Sequence, residues 1–309
     1  MTDRHVFSDH TTLVLKSISG LVNTQPNLAA IPSIKTVINA DHNDNKVTLI
    51  CGGGSGHEPG STGFVGRGFL SASVCGDVFA SPSARQVYGA IKALPSKKGT
   101  LLIITNCTSF LLNKISDFVF LMLFRLPDTG DNLHFGLACQ QARADGLQNV
   151  DILPVGDDVS VGRSKGALVG RRALAGTILG KDPIFHFSCR ALLKFVTVCK
   201  ILGAASEADW SFDDIRKLGQ GVTGAIASIA CTLGHCHVPG RTEYSIIPQD
   251  TLEIGLGLHN EPVRFYFQIV MSWSSFPLRF VGCLGRFTAA LFFRPYCADA
   301  QAYLGYGRS

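Results

Sequence analysis

The stretch Cys51-Gly52-Gly53-Gly54-Ser55-Gly56-His57-Glu58-Pro59 is the most informative part of this sequence. The residues before it, Lys46-Val47-Thr48-Leu49-Ile50, are β-branched and apolar and predict a short buried strand. Glycines let the backbone take conformations that other residues avoid and come close to a ligand. Open α/β sheets place their binding sites in loops at the carboxyl ends of strands. The stretch therefore predicts a small-ligand loop, in which His57 can exchange a proton near neutral pH.

Two familiar motifs do not fit this stretch, and a third interpretation stays open. No Lys-Ser or Lys-Thr follows the glycines, so the nucleotide-binding P-loop pattern is absent. His57-Glu58 does not begin a zinc-binding H-E-x-x-H helix, because Pro59 and Gly60 would break that helix. A tight turn with an incidental surface histidine remains the plain alternative to a binding loop.

Composition narrows the function classes. A chain of 309 residues is long enough for two domains, and its net charge of +5 without a basic cluster argues against nucleic acid as a partner. The N-terminus has no apolar signal-peptide core, and the apolar run Phe118–Phe124 is too short to span a membrane. The 10 cysteines form no C-x-x-C pair, which favours reduced thiols and a cytoplasmic protein. His235-Cys236-His237 is an incomplete metal-ligand set, and a surface turn is the preferred interpretation.

The order of elements predicts an α/β fold with a mostly parallel sheet flanked by helices. Apolar strands are predicted at Lys46–Ile50, Ser71–Val74, Thr100–Thr105, Val150–Val155 and Leu252–Leu258. Helices are predicted at Thr11–Val22, 83–94, His134–Asp145 and from Ser211 to about Leu233. The expected helix N-caps are Ser81, which is followed by Pro82, and Ser211. Asn27–Val47 is predicted to hold loops and a weak strand.

Several longer motifs resemble the substrate-binding (DhaK) domain of the dihydroxyacetone kinase family. They follow one another in the family's order over 5–108, 130–179 and 200–262. The motifs are Gly52–Pro59, Val74–Pro82, Gly130–Gly136, Val155–Val159, Gly170–Thr177, Val238–Gly240 and Gly255–Pro262. The resemblance implies a two-lobed α/β domain, a homodimer, and phosphorylation of dihydroxyacetone or glyceraldehyde.

By the same resemblance, His259 binds the substrate carbonyl covalently as a hemiaminal. Gly54, Ser55 and Gly56 lie against the substrate, and His57 and Asp131 bond its hydroxyl groups. His57 and Asp131 are then the candidates to accept the hydroxyl proton during phosphoryl transfer. ATP and Mg²⁺ belong to a separate nucleotide-binding domain in the family, so neither is expected on this chain.

Three segments depart from the family pattern. Residues 109–129 and 180–199 interrupt family motifs, and 263–309 replaces the remainder of the domain. These segments hold 14 of the 20 phenylalanines, which favours the hypothesis that they are translated introns, with genuine insertions as the alternative. The predicted organisation is therefore an N-terminal lobe at 1–179, a partial second lobe at 180–262 and an aromatic tail. Thr105 stands where the family has a lysine.

The sequence is identified as a member of the dihydroxyacetone kinase family, truncated at its C-terminus. No nucleotide-binding domain follows, so the chain alone is expected to be inactive. The alternative is a non-catalytic triose-binding or regulatory protein of the same fold. Three questions stay open: whether the phosphoryl donor is ATP or a phosphocarrier protein, whether the chain folds, and whether Asp131 reaches the pocket with the insertion in place.

Overall fold

The computed structural model describes residues 9–105, 130–158, 197–226, 231–232, 251–254, 266–270 and 279–281. The chain divides into two compact units, residues 1–229 with 238–241, and residues 230–237 with 242–309. His259, the segment 109–129, and most of 180–199 and 263–309 lie outside the described residues. The predicted lobe boundaries therefore stay predictions.

A six-stranded sheet in the order β1-β2-β4-β3-β5-β6 forms the centre of the first unit. Its strands are β1 Leu28–Ile31, β2 Thr36–Asn39, β3 Thr48–Ser55, β4 Ala72–Val78, β5 Thr100–Thr105 and β6 Val150–Val155. Strands β4, β3, β5 and β6 pair in parallel, whereas β2 pairs antiparallel with both β4 and β1. The predicted α/β class with a mostly parallel sheet is confirmed. The region 27–47 holds two strands instead of the single weak strand that the sequence predicted.

Five described helices cover the two faces of this sheet. They are α1 Leu13–Thr24, α2 Ala84–Ala93, α3 Gly130–Ala144, α4 Thr197–Glu207 and α5 Phe212–Ala225. Successive side chains of a strand point to opposite faces, so Leu101 and Ile103 pack with α1, α4 and α5, while Leu102 and Ile104 pack with α2 and α3. Within the described part of the chain, no helix combines the length and apolarity that a membrane span requires.

Two helix boundaries differ from the predictions. Ser83 is the N-cap of α2: its Oγ accepts from the Gln86 amide at 3.3 Å, and its own amide donates to Gln86 Oε1 at 2.9 Å. The prediction of Ser81 was wrong, because only Ser83 has a glutamine three residues later to complete a capping box. The predicted Ser211 N-cap is confirmed, and its Oγ accepts from the Asp214 amide at 3.2 Å. Helix α5 ends at Ala225, short of the predicted Leu233.

The second unit contains a small antiparallel sheet in the order β10-β9-β8-β7. Its strands are β7 Cys231–Thr232, β8 Thr251–Ile254, β9 Tyr266–Val270 and β10 Arg279–Val281. Strand β7 occupies residues that were predicted to be helical. Strand β8 confirms the described part of the strand predicted at Leu252–Leu258.

Helix α4 is bonded to the two residues that precede β3, at the end of the sheet opposite the glycine stretch. Ser206 Oγ donates to the Val47 carbonyl at 2.8 Å, and Lys46 Nζ pairs with Glu207 Oε2 at 2.6 Å. Val198 and Cys199 are fully buried in the core between α4 and the sheet. The segment 180–199, expected to interrupt the family pattern, therefore contributes its last residues to a packed helix.

Two helical glycines give a matched test of this packing. A Cβ on Gly203 would lie 2.5 Å from the backbone of Gly68, whereas a Cβ on Gly221 would meet nothing within 4 Å. We expect Gly203→Ala to lower the free energy of unfolding by about 1–3 kcal/mol, since α4 must move away from the backbone of Gly68 and Phe69, which precedes β4. Gly221→Ala should raise it by about 0.5–1 kcal/mol, because alanine favours the helix. Urea unfolding of both variants measures the difference, and equal effects would contradict the close approach.

Candidate functional site

The predicted site residues that the structure describes, Gly54, Ser55, Gly56, His57 and Asp131, lie at the carboxyl edge of the parallel strands. Strand β3 ends at Ser55, β4 at Val78 and β5 at Thr105, and these ends meet at one edge of the sheet. Helix α3 begins at the same edge with Gly130 and Asp131. An edge of this kind is the usual binding site of open α/β sheets.

The glycine stretch is part of a strand and not a free loop. Strand β3 continues to Ser55, beyond the predicted end at Ile50. A Cβ on Gly52 would clash with the carbonyl oxygen of Val74 and lie 3.1 Å from the ring of Phe135. Glycine is therefore required where β3 passes between its neighbours.

Phe79 packs against the end of the glycine stretch. Gly56 has a φ of 114°, and a Cβ there would lie 2.6 Å from Phe79 Cε1. The Phe79 amide donates to the Ser55 carbonyl at 2.8 Å, and Phe79 itself has a φ of 55°. A bulky residue in this left-handed region is uncommon and carries backbone strain. The ring thus fills the space that the missing side chain of Gly56 leaves.

His57 is half-buried in the turn that follows Gly56. Its ring centroid lies 6.4 Å from that of Phe79, with the two planes 38° apart. Glu58 shapes the turn, because its carboxylate oxygens accept from the Gly56 amide at 3.1 and 3.0 Å. The Gly60 amide closes the turn by donating to the His57 carbonyl at 3.0 Å. The roles of Glu58 and Phe79 were not predicted, although both residues lie within the quoted motifs.

Asp131 is brought to the glycine stretch from a distant part of the chain. Only 4% of the residue is exposed, and Thr105 Oγ1 donates to its Oδ2 at 2.7 Å. The same Oδ2 would lie 3.3 Å from a Cβ on Gly53. The carboxylate of Asp131 therefore lies against the glycine stretch, beside the end of β5.

The remaining predicted residues have different surroundings. Ser55 is buried, and its Oγ donates to the Gly76 carbonyl at 3.0 Å, so its hydroxyl ties β3 to β4. A Cβ on Gly54 would lie 3.0 Å from the Ala80 amide nitrogen, so this glycine also allows a close backbone approach. Fully buried Asp157 and Asp158 follow the end of β6 at the same edge, and no role was predicted for them.

The described residues form no cluster of metal ligands. Among them, no group of three or more His, Cys, Asp or Glu side chains could hold one. Magnesium is bound through carboxylates and substrate phosphates in kinases.

Cys75 of β4 pairs with Gly53 of the glycine stretch, and the pKa of its thiol is raised. Burial in the protein, and secondarily the Glu58 carboxylate, raise the pKa of the Cys75 thiol to about 12. Since thiolates are the reactive form, we expect Cys75 to resist iodoacetamide at pH 8 in the folded chain and to react in urea. Peptide mass spectrometry after each treatment measures the modification. Rapid labelling of Cys75 in the folded chain would show that the site opens to solvent.

Comparison with known proteins places this geometry in context. The Dak1 domain model matches residues 19–114, 123–181 and 187–271. The dihydroxyacetone kinase of Komagataella pastoris is 40% identical over 266 residues, which cover 81% of this chain and 37% of that protein. The chain thus spans less than half the length of this relative.

Two solved structures are also similar. One is the dihydroxyacetone kinase from C. freundii in complex with AMP-PNP and Mg²⁺, with a TM-score of 0.66, 33% identity, and coverage of 84% of this chain and 42% of that chain. The other is Dha-DhaQ, a dihydroxyacetone kinase operon co-activator, with a TM-score of 0.64, 27% identity, and coverage of 82% of this chain and 65% of that chain. The same fold therefore occurs in a kinase and in a co-activator.

Proposed function

Because the chain belongs to the dihydroxyacetone kinase family through its Dak1 domain, we propose that it binds dihydroxyacetone or glyceraldehyde for phosphorylation. The observation that supports this proposal most directly is the position of Asp131. Its carboxylate lies against Gly53 and is hydrogen-bonded to Thr105, at the strand edge that also carries His57. A small triose offers little apolar area, so its recognition depends on polar groups placed in this way.

His259 is the proposed covalent anchor of the triose. A neutral imidazole nitrogen forms a bond to the carbonyl carbon, and the carbonyl oxygen takes up the proton that the ring loses. No group leaves, so the adduct is a hemiaminal and its formation is reversible. A covalent bond holds a substrate that is too small to be held by surface burial alone.

His57 and Asp131 are the proposed partners of the triose hydroxyl groups. The carboxylate of Asp131 accepts a hydrogen bond from a hydroxyl, and either residue can take its proton as the oxygen attacks a phosphoryl group. Gly54, Ser55 and Gly56 are proposed to lie against the triose at the same edge. The described contacts support this assignment through the fixed positions of Asp131 and of the turn that carries His57.

ATP with Mg²⁺ is the proposed phosphoryl donor. The C. freundii relative was crystallised with AMP-PNP and Mg²⁺, and the described residues of this chain lack a metal-binding cluster. We therefore propose that the nucleotide is held by a separate domain, which presents the phosphoryl group to the triose. A homodimer is part of the same proposal, and sedimentation equilibrium tests it.

Cytoplasmic localisation is also proposed. The described cysteines Cys51, Cys75, Cys139 and Cys199 are all buried free thiols, which suits a reducing compartment. Fluorescent tagging of the full chain, with fractionation as a second readout, tests this assignment.

The covalent anchor has a direct spectroscopic test. With [2-¹³C]dihydroxyacetone, we expect a protein-bound signal of a tetrahedral carbon in place of the ketone signal, because the carbonyl carbon gains a bond to nitrogen. His259→Ala should abolish this bound signal and His42→Ala should retain it, since His42 is half-buried and bonds the Pro95 carbonyl instead. Free hydrate also gives a tetrahedral carbon, so diffusion-edited spectra separate bound from free triose. An unchanged bound signal in His259→Ala would refute the anchor.

The polar partners have a separate test by titration calorimetry. Asp131→Asn should weaken dihydroxyacetone binding by about 10- to 100-fold, because a hydrogen bond to a charged acceptor is replaced by a weaker one. Asp145→Asn, at the exposed residue that directly follows α3, serves as the matched control with unchanged affinity. Equal affinities of the two variants for dihydroxyacetone would show that Asp131 does not bind the triose.

A second candidate function is a non-catalytic triose sensor. The similarity to Dha-DhaQ, a co-activator, favours this alternative. The two functions differ in product: with a nucleotide-binding domain added in trans, ATP and Mg²⁺, a kinase yields triose phosphate and a sensor yields none. Retention of triose binding without product formation would favour the sensor.

A further inference from the structure

We propose that Thr105 is a positioning residue that fixes the Asp131 carboxylate at the triose site, where the family resemblance places a lysine. This inference rests on the proposed function, since it gives Asp131 a task in triose binding. The hydrogen bond between Thr105 Oγ1 and Asp131 Oδ2 is 2.7 Å long and buried. That length is typical of a hydroxyl that donates to a charged carboxylate.

The donor is itself held rigidly by the sheet. Thr105 is the last residue of β5 and pairs in register with Val155 of β6. On the other side of β5, the preceding residue, Ile104, pairs with Gly52 of the glycine stretch. Only 5% of Thr105 is exposed. Its hydroxyl is therefore a fixed point of the sheet edge, and not a group on a mobile loop.

The acceptor needs such a fixed point. Asp131 is the second residue of α3, and its carboxyl group can rotate about the bond that joins it to Cβ. The hydrogen bond from Thr105 selects one orientation, in which Oδ2 also lies against Gly53. A carboxylate that is oriented before the triose arrives loses little freedom on binding, and this raises the affinity.

The same bond joins two parts of the chain that are distant in the sequence. Thr105 and Asp131 are 26 positions apart in the sequence, yet the bond joins the end of β5 directly to the start of α3. The orientation of Asp131 is thus tied to a residue of the sheet. A lysine ammonium would add a positive charge at this point, whereas threonine supplies one neutral donor.

The test compares four variants of the full chain by titration with dihydroxyacetone. Thr105→Val removes the hydroxyl with almost no change of shape, and we expect about 10-fold weaker binding. Thr105→Ser restores the hydroxyl and should bind within about twofold of the original chain. Thr100→Val makes the same chemical change at the other end of β5, about 17 Å away, and should not alter affinity. Thr105→Cys keeps the size with a weaker donor and replaces Thr105→Val if that variant does not fold.

A double-mutant cycle separates positioning from general support of the fold. If Thr105 acts through Asp131, Thr105→Val should have no further effect on affinity in the Asp131→Asn background. Unfolding in urea, measured on the same variants without triose, reports whether the two side chains are coupled independently of binding. An affinity loss in Thr105→Val that persists undiminished in the Asp131→Asn background would overturn the inference.

Two further outcomes separate a failure of the inference from a failure of the proposed function. If the original chain binds dihydroxyacetone and Thr105→Val binds it equally well, the inference fails and the proposed function stands. If the original chain binds no triose at all, the proposed function fails and the positioning role fails with it, even where the unfolding cycle shows coupling between Thr105 and Asp131. Rescue by Thr105→Ser together with loss in Thr105→Val supports the inference.

Discussion

The site depends on one steric constraint, the close approach of the glycine stretch of β3 to its neighbours. Gly52 lies against the Val74 carbonyl and the Phe135 ring, and Gly54 against the Ala80 amide. A side chain at either position would push β3 away from β4 or α3. Asp131 and His57 both lie next to this strand. Their positions therefore depend on its glycines, which let the neighbouring backbone and ring come close.

The two ends of the sheet differ in the contacts that they make. At the start of β3, Ser206 and Glu207 of α4 are bonded to the strand. At the other end, buried polar groups such as Thr105 and Asp131 bond each other. Buried polar groups are costly unless they are satisfied, so each member of this pair offsets the burial cost of the other. Apolar packing on both faces of the sheet carries most of the fold.

The sequence predicted the parallel strands well because their apolar runs and the turns between them are local signals. It predicted His57, Asp131 and the glycines by motif, and the structure places these residues at one edge. Thr105 and Phe79 could not be assigned in this way, because their contacts join residues that are far apart in the chain or depend on a backbone angle. The Ser81 boundary was wrong although the Ser83–Gln86 capping box is a local signal, whereas the Leu233 boundary was wrong because β7 pairs with the distant β8.

Phe79 has a consequence for how this site can change over evolutionary time. Its left-handed backbone, with a φ of 55°, would be relaxed most simply by glycine or asparagine. Either replacement would remove the ring that lies beside Gly56 and His57. Selection for a more stable chain and selection for an intact site therefore act in opposite directions at this one position. A lineage that keeps phenylalanine at this position keeps the backbone strain, and with it the ring beside Gly56 and His57.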